Sequence, residues 1–329
     1  MRTNLSGASY RSKINMKIVI TGRNFDEKAK QVLKGNEIVD YSYLNLGPGA
    51  DPNQMIECIQ DAQAVICGPE PINAKIMDAC SHLQVISRRG IGYDNIDVSA
   101  CQKRNIAVLR TTGLVEAAVA EHALAFLLYF ARNINQENKE MHQGLWHRQR
   151  SMGAKNRCLG LIGFGGIGKE IAKRAYPFGM DIVYYCRHTH KEWDNMYHVQ
   201  YADLDTLLSS SDYISINVPL TNQTKGMIGK EELAKMKPES VLINIARASI
   251  VDTQALKAAL MSHQIRGAAI DVFDHEPCTD SPFIDCDNAI LTPHVAPFTT
   301  ENFQAMNQQS AQNIVDWQQN KLNRKYQVV

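Results

Sequence analysis

The sequence predicts an α/β protein built on two doubly wound parallel sheets, and three observations predict it. Short apolar runs alternate with helix-period runs along most of the 329 residues, the pattern of parallel strands joined by crossover helices. That alternation breaks at one long, almost wholly apolar helix near the middle and then starts again. At roughly 100–200 residues per domain, a chain of this length holds two. With 44% apolar and 21% charged residues, both domains can bury a substantial core without disulfides or metal.

The elements follow in order. Met16–Thr21 (MKIVIT) reads as a buried strand, Asp26–Leu33 as a helix, and Ala64–Gly68 as a second strand. Asn73–Cys80 is helical and Gln84–Ser87 strand-like, which completes the first α/β stretch. Gly113 precedes the helical run Glu116–Asn133, whose apolar residues cover nearly its whole circumference. A helix of that kind is buried, and its expected place is between domains or subunits. A polar stretch, Asn135–Arg157, carries Trp146. The second series begins with the strand Cys158–Ile162, a glycine-rich turn and a helix at Gly166–Tyr176. Strands follow at Asp181–Cys186, Tyr213–Val218, Val241–Ile245 and Gly267–Val272, with helices at Leu204–Ser209, Lys230–Met236 and Thr253–Ser262 between them. The amphipathic run Glu301–Asn320 is expected to cross back and complete the first domain. The domains therefore read as 1–113 with 299–329, around an inserted 114–298.

Several function classes drop out. The net charge of +1 leaves no basic footprint for nucleic acid. No segment has the ~18 continuous apolar residues of a membrane helix. Met1–Asn15 is polar with three positive charges, unlike a secretory signal. Eight cysteines form no CxxC pair, so buried reduced thiols, no metal and a cytoplasmic location are expected.

The turn reads Gly163-Phe164-Gly165-Gly166-Ile167-Gly168. A GxGxxG loop alone is weak, but here a strand precedes it and a helix follows. Gly163 permits the tight turn, Gly165 lets the backbone approach a pyrophosphate, and Gly168 lets helix and strand pack closely. The helix N-terminus offers free amides and partial positive charge to the phosphates. The inserted domain is thus a Rossmann dinucleotide-binding domain. At the end of the next strand, where an acidic residue would bond the ribose of NAD, the chain has Cys186-Arg187. A guanidinium binds a 2′-phosphate that a carboxylate would repel, so NADP(H) is expected ahead of NAD(H).

Three ionisable groups end predicted strands of that domain: Arg247, Glu276 and His294. Ligands of open α/β sheets bind beyond the carboxyl ends of the strands. Reduction of a 2-oxo acid needs this trio. A guanidinium grips the substrate carboxylate, an imidazole donates the proton, and a carboxylate beside it favours imidazolium and raises the His pKa.

With these segments on the page, the chain resembles the D-isomer-specific 2-hydroxyacid dehydrogenases. The resemblance runs from about Ile86 to about Thr299. It rests on Gly90-Ile91-Gly92-Tyr93-Asp94-Asn95-Ile96-Asp97, Val119-Ala120-Glu121-His122, the glycine loop, Asn217-Val218-Pro219-Leu220-Thr221, Met236-Lys237-Pro238, Ile245-Ala246-Arg247, Asp271-Val272-Phe273 with Glu276-Pro277, and Thr292-Pro293-His294-Val295. It implies a flavodoxin-like substrate domain around the Rossmann domain and a homodimer. Arg247 is then the substrate binder, Glu276 the partner that tunes His294, and His294 the acid/base. Gly166 and Ile167 would contact the pyrophosphate. Val218 and Pro219 would also line the cofactor site, and Ile245, Ala246 and Asp271 would face the nicotinamide. Backbone amides of Ile91 and Gly92 would hold the substrate carboxylate together with Arg247.

Three positions depart from the family pattern: Ala248-Ser249 after the Arg, Val115 before Val119-Ala120-Glu121, and Cys186-Arg187. The expected substrate is a small 2-oxo acid such as glyoxylate or hydroxypyruvate. Two alternatives stay open. One is a dinucleotide-sensing, co-repressor-like member; the other is an NAD-dependent phosphoglycerate-type dehydrogenase. The latter needs extra basic charge, which Arg88 and Arg89 could supply, although both are expected on the surface. Glu276 argues against formate oxidation.

Overall fold

The computed structural model describes residues 16–329 apart from 23, 37, 39, 45 and 48. The segment 1–15, read above as no secretory signal, lies outside the described residues. The chain divides into two units, Met1–Thr111 with Met306–Val329, and Thr112–Ala305.

In the first unit, five strands form one parallel sheet: β1 Ile18–Ile20, β2 Tyr41–Tyr43, β3 Ala64–Cys67, β4 Val85–Arg88 and β5 Ala107–Arg110. Their order is β2-β1-β3-β4-β5, the flavodoxin-like doubly wound order. The helices are α1 Glu27–Gly35, α2 Pro52–Ile59, α3 Ala74–Ala79 and α4 Val98–Lys103. Each begins on an Asp or Asn (Asp26, Asp51, Asn73, Asp97) whose side chain accepts a first-turn amide, which satisfies an otherwise orphaned donor. Apolar periodicity does not reveal α2, α4, β2 or β5. The strand β2 is a three-residue edge, Tyr-Ser-Tyr, with no buried residue, and so carries no apolar run.

The second unit opens with α5 Glu116–Ala131 and α6 Ile134–His142. The sheet follows, with strands β6 Cys158–Ile162, β7 Asp181–Tyr185, β8 Val199–Tyr201, β9 Tyr213–Ile216, β10 Val241–Asn244, β11 Gly267–Ile270 and β12 Ala289–Leu291. Its helices are α7 Gly166–Ala175, α8 Lys191–Tyr197, α9 Leu204–Ser210, α10 Lys230–Lys235 and α11 Thr253–Met261. All seven strands are parallel, in the order β12-β11-β10-β9-β6-β7-β8. The order reverses between β6 and β9, and that switch point is where such sheets hold ligands. Helices cover both faces, so the central strands are mostly apolar rather than alternating; every residue of β9, β10 and β11 is buried, the polar Ser215 and Asn244 included. The core joins Ile162, Ile214, Ile216, Leu242 and Ala268 to Leu207, Leu233, Leu256 and Leu260 of the helices.

The stretch read as polar from Asn135 contains α6. Asn133 adopts a left-handed backbone (φ 52°), so the chain turns sharply after α5 and restarts as a helix whose sequence, INQENKEMH, has no apolar stripe to announce it. The final helix, α12 Thr300–Gln318, brings Ala311, Ile314 and Val315 into the first unit's core beside Ile18, Ile20 and Leu109. There the Ser87 hydroxyl donates to the Ser310 carbonyl at 2.9 Å. Among the described residues no helix is long and apolar enough to cross a membrane.

Candidate active site

The glycine loop leaves β6 at the switch point. Gly163 has φ +100°, and a Cβ there would meet the Asn217 carbonyl carbon at 2.8 Å and Val218 Cγ1 at 2.9 Å. Only glycine takes this backbone without strain in so little space. A Cβ on Gly168 would run into the Gly163 carbonyl oxygen, so its role is close packing of helix on strand. Gly165 differs: a Cβ there meets no protein atom within 4 Å. Protein packing therefore does not demand glycine at 165. Gly165 N-caps α7, and no side chain caps that helix, so its first-turn amides keep the capacity to bind an anion. Gly166 and Ile167 form the first turn of α7. Val218, half-buried, and Pro219, exposed, follow β9 beside the loop, where the Asn217 amide donates to the Ile162 carbonyl at 2.7 Å.

At the end of β7, Cys186 Sγ donates to the His188 carbonyl at 2.6 Å, while the Arg187 side chain is exposed.

The ionisable trio is built from three strand ends of the same unit. Glu276 and His294 meet directly: His294 Nδ1 lies 2.7 Å from Glu276 Oε2. The Phe273 amide donates to Glu276 Oε1 at 3.1 Å, which fixes the carboxylate from behind. Burial pushes the Glu276 carboxyl up, but the hydrogen bond and charge of His294, the Phe273 amide and the Arg247 guanidinium outweigh it. The group lies below its ordinary value. An ionised Glu276 accepts from Nδ1–H, which leaves Nε2 as the ring atom for a ligand. Arg247 follows β10 after the buried Ile245 and half-buried Ala246, and its Nη1 donates to the Ala246 carbonyl at 2.7 Å.

Three residues not assigned roles from the sequence hold this arrangement. Asn244 is buried; its Oδ1 accepts from the Ala246 amide at 3.1 Å and its Nδ2 donates to the Arg247 carbonyl at 3.0 Å. It thereby sets the turn that presents Arg247. Thr292 donates its hydroxyl to Asp271 Oδ1 at 2.5 Å. Its only proton is thus committed, so His122 Nε2, 3.2 Å from Thr292 Oγ1, must be the donor in that contact. Burial lowers the His122 pKa against the opposing pull of Asp271. The segment Val119-Ala120-Glu121-His122 stood out in the sequence, but nothing there linked it to residue 292.

Asp271 is fully buried. Besides Thr292 it accepts from the amides of Val295 and Ala296, both at 2.9 Å. These bonds flank His294, whose backbone is left-handed at φ 53°, an uncommon conformation for a side-chain-bearing residue. The carboxylate of Asp271 anchors the loop that orients the imidazole.

In the first unit, Ile91 and Gly92 follow β4 and are half-buried. Arg89 is not on the surface as expected. It is 8% exposed, donating to Asn307 Oδ1 at 2.9 Å and to the Thr21 carbonyl at 3.3 Å. Burial lowers its pKa and the Glu70 carboxylate opposes that. A buried guanidinium is retained only with such partners, and Glu70, Asn307 and Thr21 lie 19 to 218 positions away in sequence, beyond any local pattern.

Residues 124–296 match the family model described as D-isomer specific 2-hydroxyacid dehydrogenase, NAD binding domain. The chain is 35% identical over 310 residues to a glyoxylate reductase of Thermococcus litoralis, spanning 91% of this chain and 92% of that protein. It is 36% identical over 282 residues to a hydroxypyruvate reductase of Thermotoga maritima, spanning 84% and 90%. A solved glyoxylate reductase of Paecilomyes thermophila superimposes with a TM-score of 0.83 at 27% identity, covering 95% of this chain and 98% of that one.

Proposed function

The chain belongs to the D-isomer specific 2-hydroxyacid dehydrogenase family, and we propose that it reduces a small 2-oxo acid, glyoxylate or hydroxypyruvate, to the D-2-hydroxy acid with NADPH. The observation that carries this reading is the His294–Glu276 pair at 2.7 Å, with the charge of Arg247 bearing on the same carboxylate.

The residues fit a dinucleotide. Gly165 is open where packing does not require glycine, α7 has no side-chain cap, and the loop lies at the reversal of strand order. A nicotinamide cofactor supplies the hydride when bound. Arg247 pairs with the substrate carboxylate, bidentately if both oxygens face the guanidinium fork. His294 holds a proton on Nε2 and delivers it to the carbonyl oxygen as negative charge develops there. Glu276 keeps the ring in register through Nδ1 and stabilises the imidazolium. Asn244 and Asp271 position the two loops. The NADPH preference rests on the exposed Arg187 standing where NAD-binding proteins place a carboxylate. The expected cofactor contacts are Gly163, Gly165, Gly166, Ile167, Gly168, Cys186, Arg187, Val218, Pro219, Ile245, Ala246 and Asp271.

Two further readings draw support from individual side chains. Ile134 and Met141 on α6, with Leu145 and Trp146 beyond it, are exposed, Trp146 at 72%. Clustered exposed apolar side chains suit a subunit interface, and we infer a homodimer. All eight cysteines are free thiols, and burial pushes Cys67 up to about 12 and Cys80 and Cys101 to about 11. Inert thiols of this kind suit a reducing, cytoplasmic compartment.

The test is dinucleotide oxidation against glyoxylate, hydroxypyruvate, pyruvate and longer 2-oxo acids, with NADPH and NADH in parallel. The expected outcome is turnover of the two smallest substrates with higher kcat/KM for NADPH. A clear NADH preference removes the role of Arg187. Absence of turnover with every acid removes the enzymatic reading.

A further inference from the structure

The loop between β11 and β12 carries a second group of ionisable side chains that the proposed chemistry leaves unused. Glu276 turns toward His294, but its neighbours His275, Cys278 and Asp280 gather on an exposed face. His275 Nε2 lies 2.8 Å from Asp280 Oδ1, and Cys278 Sγ lies 3.9 Å from the same oxygen. One donor atom from each residue falls within 4.8 Å of the others. His275 and Asp280 are 64% and 77% exposed, so the simplest account is a surface hydrogen bond with a thiol nearby. The donor set says more. An imidazole nitrogen, a thiolate and a carboxylate together match what zinc takes, whereas magnesium and calcium prefer oxygen alone.

The distances are also suitable. Zinc bonds of about 2.0–2.3 Å to N, O and S in a tetrahedron place the donor atoms roughly 3.3–3.8 Å apart. The Cys278–Asp280 separation is already close to that, and the His275–Asp280 pair needs to open by about half an ångström, within reach of exposed side chains. Cys278 and His275 also line a cavity of about 240 Å³ with Phe273, Asp274, Pro282 and Phe283, so the thiol has protein on one side and solvent on the other.

We propose that His275 Nε2, Cys278 Sγ and an Asp280 oxygen form a binding site for a thiophilic divalent cation of the zinc class, with a water in the fourth position. Binding breaks the His275–Asp280 hydrogen bond, and the Cys278 thiol proton is lost to solvent as the metal–sulfur bond forms. The ion then joins residues on both sides of the Glu276-Pro277 dipeptide. Nothing in the cysteine spacing announced this site, because its ligands are mixed in type and lie within six residues.

Cobalt(II) is the probe, added to the untagged full chain. The expected result is one bound equivalent with a thiolate-to-cobalt charge-transfer band that zinc abolishes by displacement. Cys278→Ser loses the band, and His275→Ala weakens binding at least tenfold, both variants being checked for an unchanged circular dichroism spectrum. In a second readout, zinc slows alkylation of Cys278, followed by peptide mass mapping, and a chelator restores the rate. The proposal fails if Cys278→Ser keeps the band, if His275→Ala binds as tightly as the parent chain, or if zinc leaves the alkylation of Cys278 unchanged.

Discussion

His294 and Glu276 act as a pair, and the pair predicts its own response to mutation and pH. His294→Ala removes the proposed proton donor and should lower kcat/KM by about 10²–10⁴-fold, and Arg247→Ala should lower it by orders of magnitude too. Dinucleotide binding, followed by fluorescence titration, should survive in both; near-normal turnover in either variant would sink the assignment. The Glu276 carboxyl lies below its ordinary value of 4.5. A lowered carboxyl contributes stability that is complete above the unfolded-state pKa and is lost as the pH falls through the folded value. The stability difference between the native chain and Glu276→Gln, measured by denaturant titration, should therefore be largest near neutral pH and shrink below about pH 4.5. A difference that stays constant through that window would mean that Glu276 does not work as a paired anion.

The elements matter because Arg247 and His294 each sit on a loop held by a buried partner. Asp271 receives three hydrogen bonds from the loop after β12, and Asn244 fixes the turn after β10. A third tie joins the Arg247 and Glu276 loops: Ser249 and Thr253 both donate to the Asp274 carboxylate, at 3.2 and 2.7 Å. Ser249 was one of the residues departing from the family pattern, and this contact is its local role. Asp271→Asn puts an amide where a carboxylate oxygen accepts. It should lose at least one charge-assisted bond, worth about 1.5–3 kcal/mol, and loosen the His294 loop. Calorimetry should show a lower Tm and kinetics a lower kcat. An unchanged Tm would rule out the anchoring role.

At the scale of the whole molecule, two parallel sheets of different strand order are carried by one chain, and the second contains every member of the ionisable trio. The same unit exposes Ile134, Met141, Leu145 and Trp146. Light scattering on the intact chain should give a mass near twice 36.8 kDa. Replacing Trp146 and Met141 by Ser should shift that mass toward a single chain. A single-chain mass for the parent protein would refute the dimer.

The fold was legible in the sequence where strands are buried on both faces. Cys158–Ile162, Tyr213–Ile216 and Val241–Asn244 are largely apolar, with only Ser215 and Asn244 polar apart from glycine, because helices cover them on each side, and a run of that kind announces itself without its neighbours. The three-residue strands Tyr41–Tyr43 and Val199–Tyr201 did not, because each is a sheet edge whose pairing, not its composition, makes it a strand. The glycine loop was readable as a tight turn because close packing at Gly163 and Gly168 leaves no room for a side chain, and the meeting of Glu276 with His294 was expected because both follow strands of one parallel sheet. The couplings of His122 to Thr292, of Asp271 to the His294 loop, and of Arg89 to Asn307 were not. They join residues 21 to 218 positions apart, and only the folded chain decides which buried donor meets which acceptor.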